Sequence, residues 1–356
     1  MMTPFLKAVL FHSKGDGFVN CFFKYVNKVG IVSIISYRSA GIAGTLLMAI
    51  LTLLLNAMPV SAFSVENNII TDNLGRKINV EKPFKRIISL YGAHTENIFF
   101  IGAAKSLIGV TKNEVFPKAA KEKTVFSYHD DPEKFLAYKP DLVLIRPMID
   151  RGYTNLMKRL EKSGITVVSV QPASIAEMFE YWKVLGLLTG KTDNAGIMIN
   201  RFKTNVEKFR MLSGSVTNRK KVYFEAIHSR MKTFTPDSMA IFVLETAGGI
   251  NVASDASQVR NTNIAIYGKE QILSKADEID VFLAQTGVMN RPDLYMIKNE
   301  PGFKLIKAVK NNQIFFIDEM IVSRPTYRLL NGISVTGSIL YPEVFNGKGK
   351  EILTIN

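Results

Sequence analysis

Short apolar runs recur along this chain, and each is separated from the next by a segment with helical periodicity. Four runs lie in the first half and three in the second, at residues 86–90, 107–110, 141–145, 165–170, 222–226, 281–284 and 314–317. Apolar runs of this length, alternating with helices, are typical of strands in a parallel sheet that helices cover on both faces. The pattern therefore predicts an α/β fold.

The alternation stops between residues 174 and 212, where a long stretch has helical periodicity and contains few breakers. Apolar side chains such as Met178, Trp182 and Phe202 fall at helical spacing in it. Gly190 is predicted to end a helix as its C-cap. We therefore predict two parallel-sheet α/β lobes bridged by a long helix, with a ligand cleft between the lobes. The predicted boundaries are a signal peptide at residues 1–62, an N-terminal lobe at 63–172, a helical linker at 173–214 and a C-terminal lobe at 215–356.

The first 62 residues have the character of an export signal. No charged residue occurs between Arg38 and Glu66, and the apolar centre at residues 41–55 follows several basic residues. Small side chains at residues 60–62 predict cleavage after Ala62 and release into a periplasm. An uncleaved membrane anchor is the alternative, because the apolar stretch nearly reaches the ~20 residues that span a bilayer. No cysteine lies at the cleavage point, so a lipid anchor is not expected.

Composition excludes several kinds of site. The only cysteine is Cys21, so neither a disulfide framework nor a cysteine-based zinc site is expected in the exported part. The formal charge is +14, but the basic residues are scattered rather than clustered, which argues against nucleic acid as a partner. His94, His129 and His228 fit no zinc spacing, and no acid–base or nucleophile motif is present. We predict no catalytic residues, no metal site, no resident cofactor and no enzymatic activity.

Ligands of open α/β sheets bind beyond the carboxyl ends of the strands, which selects the loops to inspect. Arginine, tyrosine and histidine recur in those loops, and together they suit an anionic ligand through forked hydrogen bonds. The predicted ligand-binding residues are Tyr91, Arg146, His228, Arg230, Met231, Arg324, Tyr327 and Arg328.

The order of several short segments resembles one known family. Residues 70–76, 83–90, 95–96, 101–103, 139–143, 247–251, 308–311 and 324–325 carry the likeness. Together they resemble the periplasmic iron-siderophore and cobalamin binding proteins of ABC importers. The resemblance implies two lobes bridged by one long helix, and an inner-membrane permease dimer with its ATPase as partner. It also implies that Glu133 and Glu270, each at a predicted helix start, dock on that permease.

The function expected from these observations is capture of an iron(III) chelate, either a siderophore complex or haem. A cobalamin-type corrinoid is the alternative within the same class. A periplasmic enzyme or metallochaperone on the same scaffold is the alternative from another class, and it would need an acid–base or metal cluster in the cleft. Capture of a bare metal ion would need several converging histidines and carboxylates.

Overall fold

The computed structural model describes residues 63–259 and 262–354. The predicted signal segment, residues 1–62, and its cleavage point lie outside the described residues. Among the residues described, none of the helices combines the length and the apolar character needed to cross a membrane.

A small antiparallel sheet opens the described part of the chain. Its three strands are β1 (Ser64–Glu66), β2 (Ile69–Thr71) and β3 (Lys77–Asn79), in that order. Asn67 and Asn68 join the first two strands, and both have positive φ. A two-residue hairpin loop favours positive φ at both positions, and asparagine tolerates this better than most residues. The sequence analysis did not predict this sheet.

The N-terminal lobe contains a five-stranded, fully parallel sheet in the order β6-β5-β4-β7-β8. Its strands are β4 (Ile87–Ser89), β5 (Leu107–Thr111), β6 (Thr124–Phe126), β7 (Leu142–Ile145) and β8 (Thr166–Ser169). Its helices are α1 (Gly92–Phe100), α2 (Pro132–Ala137), α3 (Pro147–Gly152) and α4 (Thr154–Lys162). All four residues of β7 are buried, as expected of a strand covered on both faces.

Two helices occupy the predicted linker. They are α5 (Ile175–Thr189) and α6 (Thr192–Gly214). Ser174 caps the start of α5 by accepting a hydrogen bond from the Glu177 amide. Gly190 ends α5 at φ 68°, which confirms the predicted C-cap. The long bridging helix is therefore α6, which has 23 residues.

The C-terminal lobe contains a seven-stranded sheet in the order β12-β13-β10-β9-β14-β15, with β11 beside β9. Its strands are β9 (Lys221–Ile227), β10 (Lys232–Phe234), β11 (Ile250–Asn251), β12 (Ser257–Gln258), β13 (Ile264–Ile266), β14 (Val281–Thr286) and β15 (Ile314–Asp318). This sheet is mixed rather than parallel throughout, because β10, β12 and β13 pair antiparallel. A single 3-10 turn, His228–Arg230, joins β9 to β10, and a connection this short permits only an antiparallel pair.

Eight further helices follow in the described part of the chain. They are α7 (Met239–Thr246), α8 (Lys269–Ser274), α9 (Leu294–Asn299), α10 (Lys307–Lys310), α11 (Glu319–Val322), α12 (Leu329–Leu340), α13 (Pro342–Phe345) and α14 (Lys348–Thr354).

One hydrophobic core runs through both lobes. It contains Leu144 of the first sheet, Trp182 and Phe202 of the bridging helices, and Leu283 of the second sheet. Two side chains also hold the backbone of Pro325. Trp182 Nε1 donates to the Pro325 carbonyl at 3.2 Å, and Asn97 Nδ2 donates to the same oxygen at 3.0 Å. The loop before α12 is therefore fixed to α1 and α5.

Candidate ligand cleft

Tyr91 and Arg146 meet at the carboxyl edge of the N-terminal sheet. Tyr91 follows β4 as the N-cap of α1, and Arg146 follows β7 as the N-cap of α3. Because β4 and β7 are neighbours, the Arg146 guanidinium lies over the Tyr91 ring at 4.9 Å. Burial raises the pKa of Tyr91, and the charges of Arg146 and Arg324 oppose that rise. The structure thus brings these two predicted residues together.

His94, three residues after Tyr91, is fully buried. Its Nδ1 lies 2.7 Å from the Tyr181 hydroxyl, and its Nε2 lies 3.0 Å from the Ile145 carbonyl. Burial lowers the pKa of His94 to about 4, so the ring is neutral near pH 7. His94 is thus a buried support for the Tyr91 turn.

Arg324 reaches the N-terminal lobe from the loop before α12. Its guanidinium occupies the space that a Cβ on residue 92 would need, beside the first residue of α1. Only glycine permits so close an approach of backbone and side chain at that point. Arg324 is half-buried, and its charge acts on Tyr91, so these two predicted residues also lie together.

Arg328 and Tyr327 are packed between the lobes. The Arg328 Nε and Nη2 atoms donate to both carboxylate oxygens of Glu96, at 2.8 and 2.6 Å. The same guanidinium lies 4.4 Å from the centre of the Phe116 ring. The Tyr327 ring lies 5.1 Å from the Phe100 ring. Both side chains are therefore engaged by other groups of the protein.

His228, Arg230 and Met231 lie together at the carboxyl end of β9. His228 is 4% exposed, and its Nδ1 lies 2.7 Å from Glu225 Oε2. That hydrogen bond raises the pKa of His228, although burial opposes it. Arg230 is exposed, and Met231 is half-buried in a left-handed conformation at φ 46°. The structure does not bring this group into contact with Tyr91.

Apolar side chains are exposed in the segments that follow strands of both sheets. Val115 and Phe116 come after β5, and Met148 comes after β7. Val288 and Met289 follow β14 in the other lobe, and both are more than half exposed. Apolar lining with a few convergent polar groups is the usual character of a small-molecule site.

Sequence reasoning missed two buried carboxylates beside the arginines. Glu96 is fully buried in α1, and Glu114, which follows β5, is 6% exposed. Burial raises the pKa of Glu114 to about 7, and the Arg324 charge opposes this. The available signal was weak: Glu96 stands between the polar residues Thr95 and Asn97, in a helix with no basic residue in its last turn. Glu114 stands in a polar stretch that reads as a solvent-facing loop.

Glu133 and Glu270 occupy equivalent positions on the two lobes. Each lies in the first turn of a six-residue helix, Glu133 in α2 and Glu270 in α8, and both are exposed. Glu133 forms an ion pair with Arg159 of α4. Within residues 63–259 and 262–354, no three histidine, cysteine, aspartate or glutamate side chains are grouped so as to hold a metal ion.

Comparison with known proteins decides the family. The model of the periplasmic binding protein family matches residues 87–320. The chain belongs to the periplasmic binding protein family. This confirms the resemblance found in the sequence and the two-lobed α/β fold class. Members of this family are substrate-binding components of ABC transporters rather than catalysts.

Relatives of this periplasmic binding protein carry several descriptions. It is 25% identical over 282 residues to an ABC transporter substrate-binding lipoprotein of Bacillus subtilis, covering 78% of this chain and 86% of that one. It is 24% identical over 257 residues to the vitamin B12-binding protein of Vibrio cholerae, covering 71% and 88%. A possible iron-binding protein from Staphylococcus epidermidis superposes with a TM-score of 0.64 at 27% identity, covering 73% and 100%.

Proposed function

We propose that this periplasmic binding protein captures an iron(III) chelate, a siderophore complex or haem, and delivers it to the permease of an ABC importer. One observation carries the choice of ligand. The positive charges of Arg146 from one lobe and Arg324 from the other both act on Tyr91, which lies at the carboxyl edge of the first sheet. Ferric complexes of catecholates and carboxylates are anionic, and arginine supplies always-charged donors to their oxygens. The iron-binding description of the Staphylococcus epidermidis protein supports the same choice.

A corrinoid is the second candidate. The observation in its favour is the similarity to the vitamin B12-binding protein of Vibrio cholerae. The exposed apolar side chains of both edges, such as Phe116 and Met289, suit any ligand with a large apolar face.

We propose that the ligand contacts Tyr91, Arg146, Arg230, Met231 and Arg324. The remaining predicted residues, His228, Tyr327 and Arg328, already contact protein groups and would border the ligand while holding the others in place. Delivery would use Glu133 and Glu270, which are exposed on separate lobes and can meet basic residues of the two permease subunits.

The site of action in this proposal is the periplasm, after cleavage behind Ala62. The exported protein would then comprise the N-terminal lobe at residues 63–172, the linker at 173–214 and the C-terminal lobe from residue 215. N-terminal sequencing of protein recovered from the native host is expected to begin at Phe63. Sequence beginning at Met2 or Ser39 would contradict the proposed cleavage.

The ligand is tested first by the absorption spectrum of the protein purified from its native host, because ferric catecholate, haem and corrinoid bands are distinct. Titrations with ferric enterobactin, ferric citrate, haemin and cyanocobalamin then rank the candidates. We expect at least one ferric compound to bind more tightly than cyanocobalamin. Tighter binding of cyanocobalamin would favour the corrinoid, and no binding of any of them would refute the proposal.

Single substitutions test the cleft. Arg146→Ala, Arg230→Ala and Arg324→Ala are each expected to weaken binding of the native chelate about tenfold or more, since each loses a charged hydrogen bond. Arg210→Ala on α6 is the control, because Arg210 is exposed and paired with Glu207. If all three substitutions leave the affinity unchanged, the cleft has been misplaced.

A further inference from the structure

The carboxyl group of Glu114 can form hydrogen bonds that no described residue provides. The residue is 6% exposed, and neither of its carboxyl oxygens has a hydrogen-bond partner among the described residues. Buried carboxyl groups in folded proteins are almost always hydrogen-bonded, because leaving one unpaired is costly. A carboxyl group held in this way is suited to meet a ligand.

The Glu114 carboxyl group, the Arg324 guanidinium and the N-terminus of α1 lie close together around Gly92. Its Oε1 lies 2.9 Å from the point where a Cβ on Gly92 would stand, and the Arg324 guanidinium carbon lies 2.9 Å from the same point. Gly92 is the first residue of α1, whose N-cap, Tyr91, provides no capping side chain. The first amides of a helix have no partner within the helix and carry partial positive charge. The carboxyl group and the guanidinium therefore both lie beside the N-terminus of α1.

Of the two arginines that act on Glu114, only Arg324 lacks a carboxylate partner among the described residues. Arg328 is committed to Glu96 through two hydrogen bonds. The Arg324 carbonyl accepts a hydrogen bond from the Thr326 amide, but the Arg324 guanidinium forms no ion pair or hydrogen bond with any residue in the described ranges. A guanidinium beside a helix N-terminus attracts an oxyanion, and its fork matches the two oxygens of a carboxylate.

An ionised Glu114 would repel that anion, so the protonation of Glu114 matters. The charged groups that act on Glu114 are Arg324, Glu96 and Arg328. Burial has the largest effect and raises the pKa of Glu114 to about 7, so a large share of Glu114 is neutral at pH 7. A neutral carboxyl group donates a hydrogen bond to an anionic oxygen instead of repelling it.

We infer that Glu114, Arg324 and the N-terminus of α1 form a subsite for a carboxylate group of the bound chelate. Arg324 and the α1 amides bind the carboxylate oxygens, and neutral Glu114 donates a hydrogen bond to one of them. This rests on the proposed function, because it assigns one part of the same ligand. It adds that the ligand carries a carboxylate arm and that a proton is bound together with it.

The affinity for a carboxylate ligand should therefore depend on pH through the protonation of Glu114. Affinity for a carboxylate ligand falls as pH rises above 7, because Glu114 must then take up a proton for the complex to form. The fall approaches tenfold per pH unit when Glu114 is fully ionised in the free protein. Glu114→Gln keeps a hydrogen-bond donor and cannot ionise, so its affinity should stay level between pH 6 and pH 8.

The first experiment needs no iron. Protein labelled with ¹³C at the glutamate carboxyls is titrated with acid and base, with and without metal-free citrate at constant ionic strength. The Glu114 resonance is assigned by its loss in Glu114→Gln. Citrate is expected to raise the titration midpoint of Glu114 in the native protein and in the exposed control Glu122→Gln, but not in Arg324→Ala. Arg324→Lys, which keeps the charge without the fork, is a second variant if Arg324→Ala does not fold. If citrate leaves the titration midpoint of Glu114 unchanged in the native protein, the proposed subsite is wrong.

The second experiment compares haemin with its dimethyl ester, which lacks the two carboxylates. Haemin is expected to bind more weakly at pH 8 than at pH 6 in the native protein, and equally at both in Glu114→Gln. The ester should lack this dependence. If citrate acts on Glu114 but no chelate binds, the subsite stands and the iron-chelate function fails. If chelates bind without any effect of Glu114→Gln or citrate, the function stands and the subsite is wrong.

Discussion

Arg328 and Glu96 are 232 positions apart in the chain, yet they form a two-pronged pair between the lobes, with hydrogen bonds of 2.8 and 2.6 Å. The Glu96 carboxylate is fully buried, and the Arg328 side chain is 14% exposed. The pair joins the loop before α12 to α1, because Arg328 lies in that loop and Glu96 lies in α1. Removing one partner leaves the other charge buried and unpaired.

Arg328→Ala is expected to lower the free energy of unfolding by about 3–5 kcal/mol, because it leaves Glu96 buried without its counter-charge. Urea denaturation measures this loss. Arg159→Ala is the matched control, since the ion pair of Arg159 with Glu133 is exposed and its loss should cost less than about 1 kcal/mol. Equal losses in the two variants would contradict the stabilising role of the buried pair.

His228 should make stability depend on pH. Its hydrogen bond to Glu225 raises the pKa of His228 above 6.5, and Glu300 and Asp293 add to this. The protonated ring thus stabilises the fold fully below pH 6.5, and this contribution is lost as pH rises through the folded-state pKa. The stability difference between the native protein and His228→Gln should therefore shrink between pH 6 and pH 9 in urea denaturation. A difference that grows with pH would refute the assignment.

The sequence predicted the elements that a regular pattern specifies. Buried parallel strands such as β7 were predicted because fully apolar runs mark them, and Gly190 was predicted because a left-handed helix end favours glycine. The short antiparallel strands β10 and β13 were missed, because three residues with partly exposed side chains give no clear period. Glu96 and Glu114 were missed because burial of a carboxylate depends on partners far away in the chain. Arg328 was predicted as a site residue from its place near a strand end, while its partner could not be inferred.

Two glycines in helices should respond oppositely to alanine. Nothing lies within 4 Å of a Cβ added to Gly196 in α6, so Gly196→Ala should stabilise the protein by about 0.5–1 kcal/mol. In Gly332→Ala, in α12, the new methyl group would collide with the Ile321 carbonyl, and a loss of about 1–3 kcal/mol is expected. Urea denaturation of both variants checks this, and a gain from Gly332→Ala would show that α11 and α12 separate easily.

Charge reversal at Glu133 and Glu270 should separate capture from delivery. The double variant Glu133→Lys and Glu270→Lys is expected to keep its affinity for the chelate, because both side chains are exposed in helices away from Tyr91. Uptake by cells should be lost, because like charges would then face the permease. Glu122→Lys, also exposed, is the control for uptake. A large loss of chelate affinity in the double variant would refute the docking role.

The hydrogen bond from Trp182 to the Pro325 carbonyl has an optical consequence. Trp182 is the only tryptophan in the chain, so the tryptophan fluorescence of the protein arises from one indole ring at the junction of α5 with the loop before α12. Any separation of that loop from α5 breaks the bond and admits water to a ring that is otherwise fully buried. The emission maximum would then move to longer wavelength. The chain therefore carries its own label-free reporter of the contact between α5 and the loop before α12, and stopped-flow mixing could follow the loss of that contact without any attached dye.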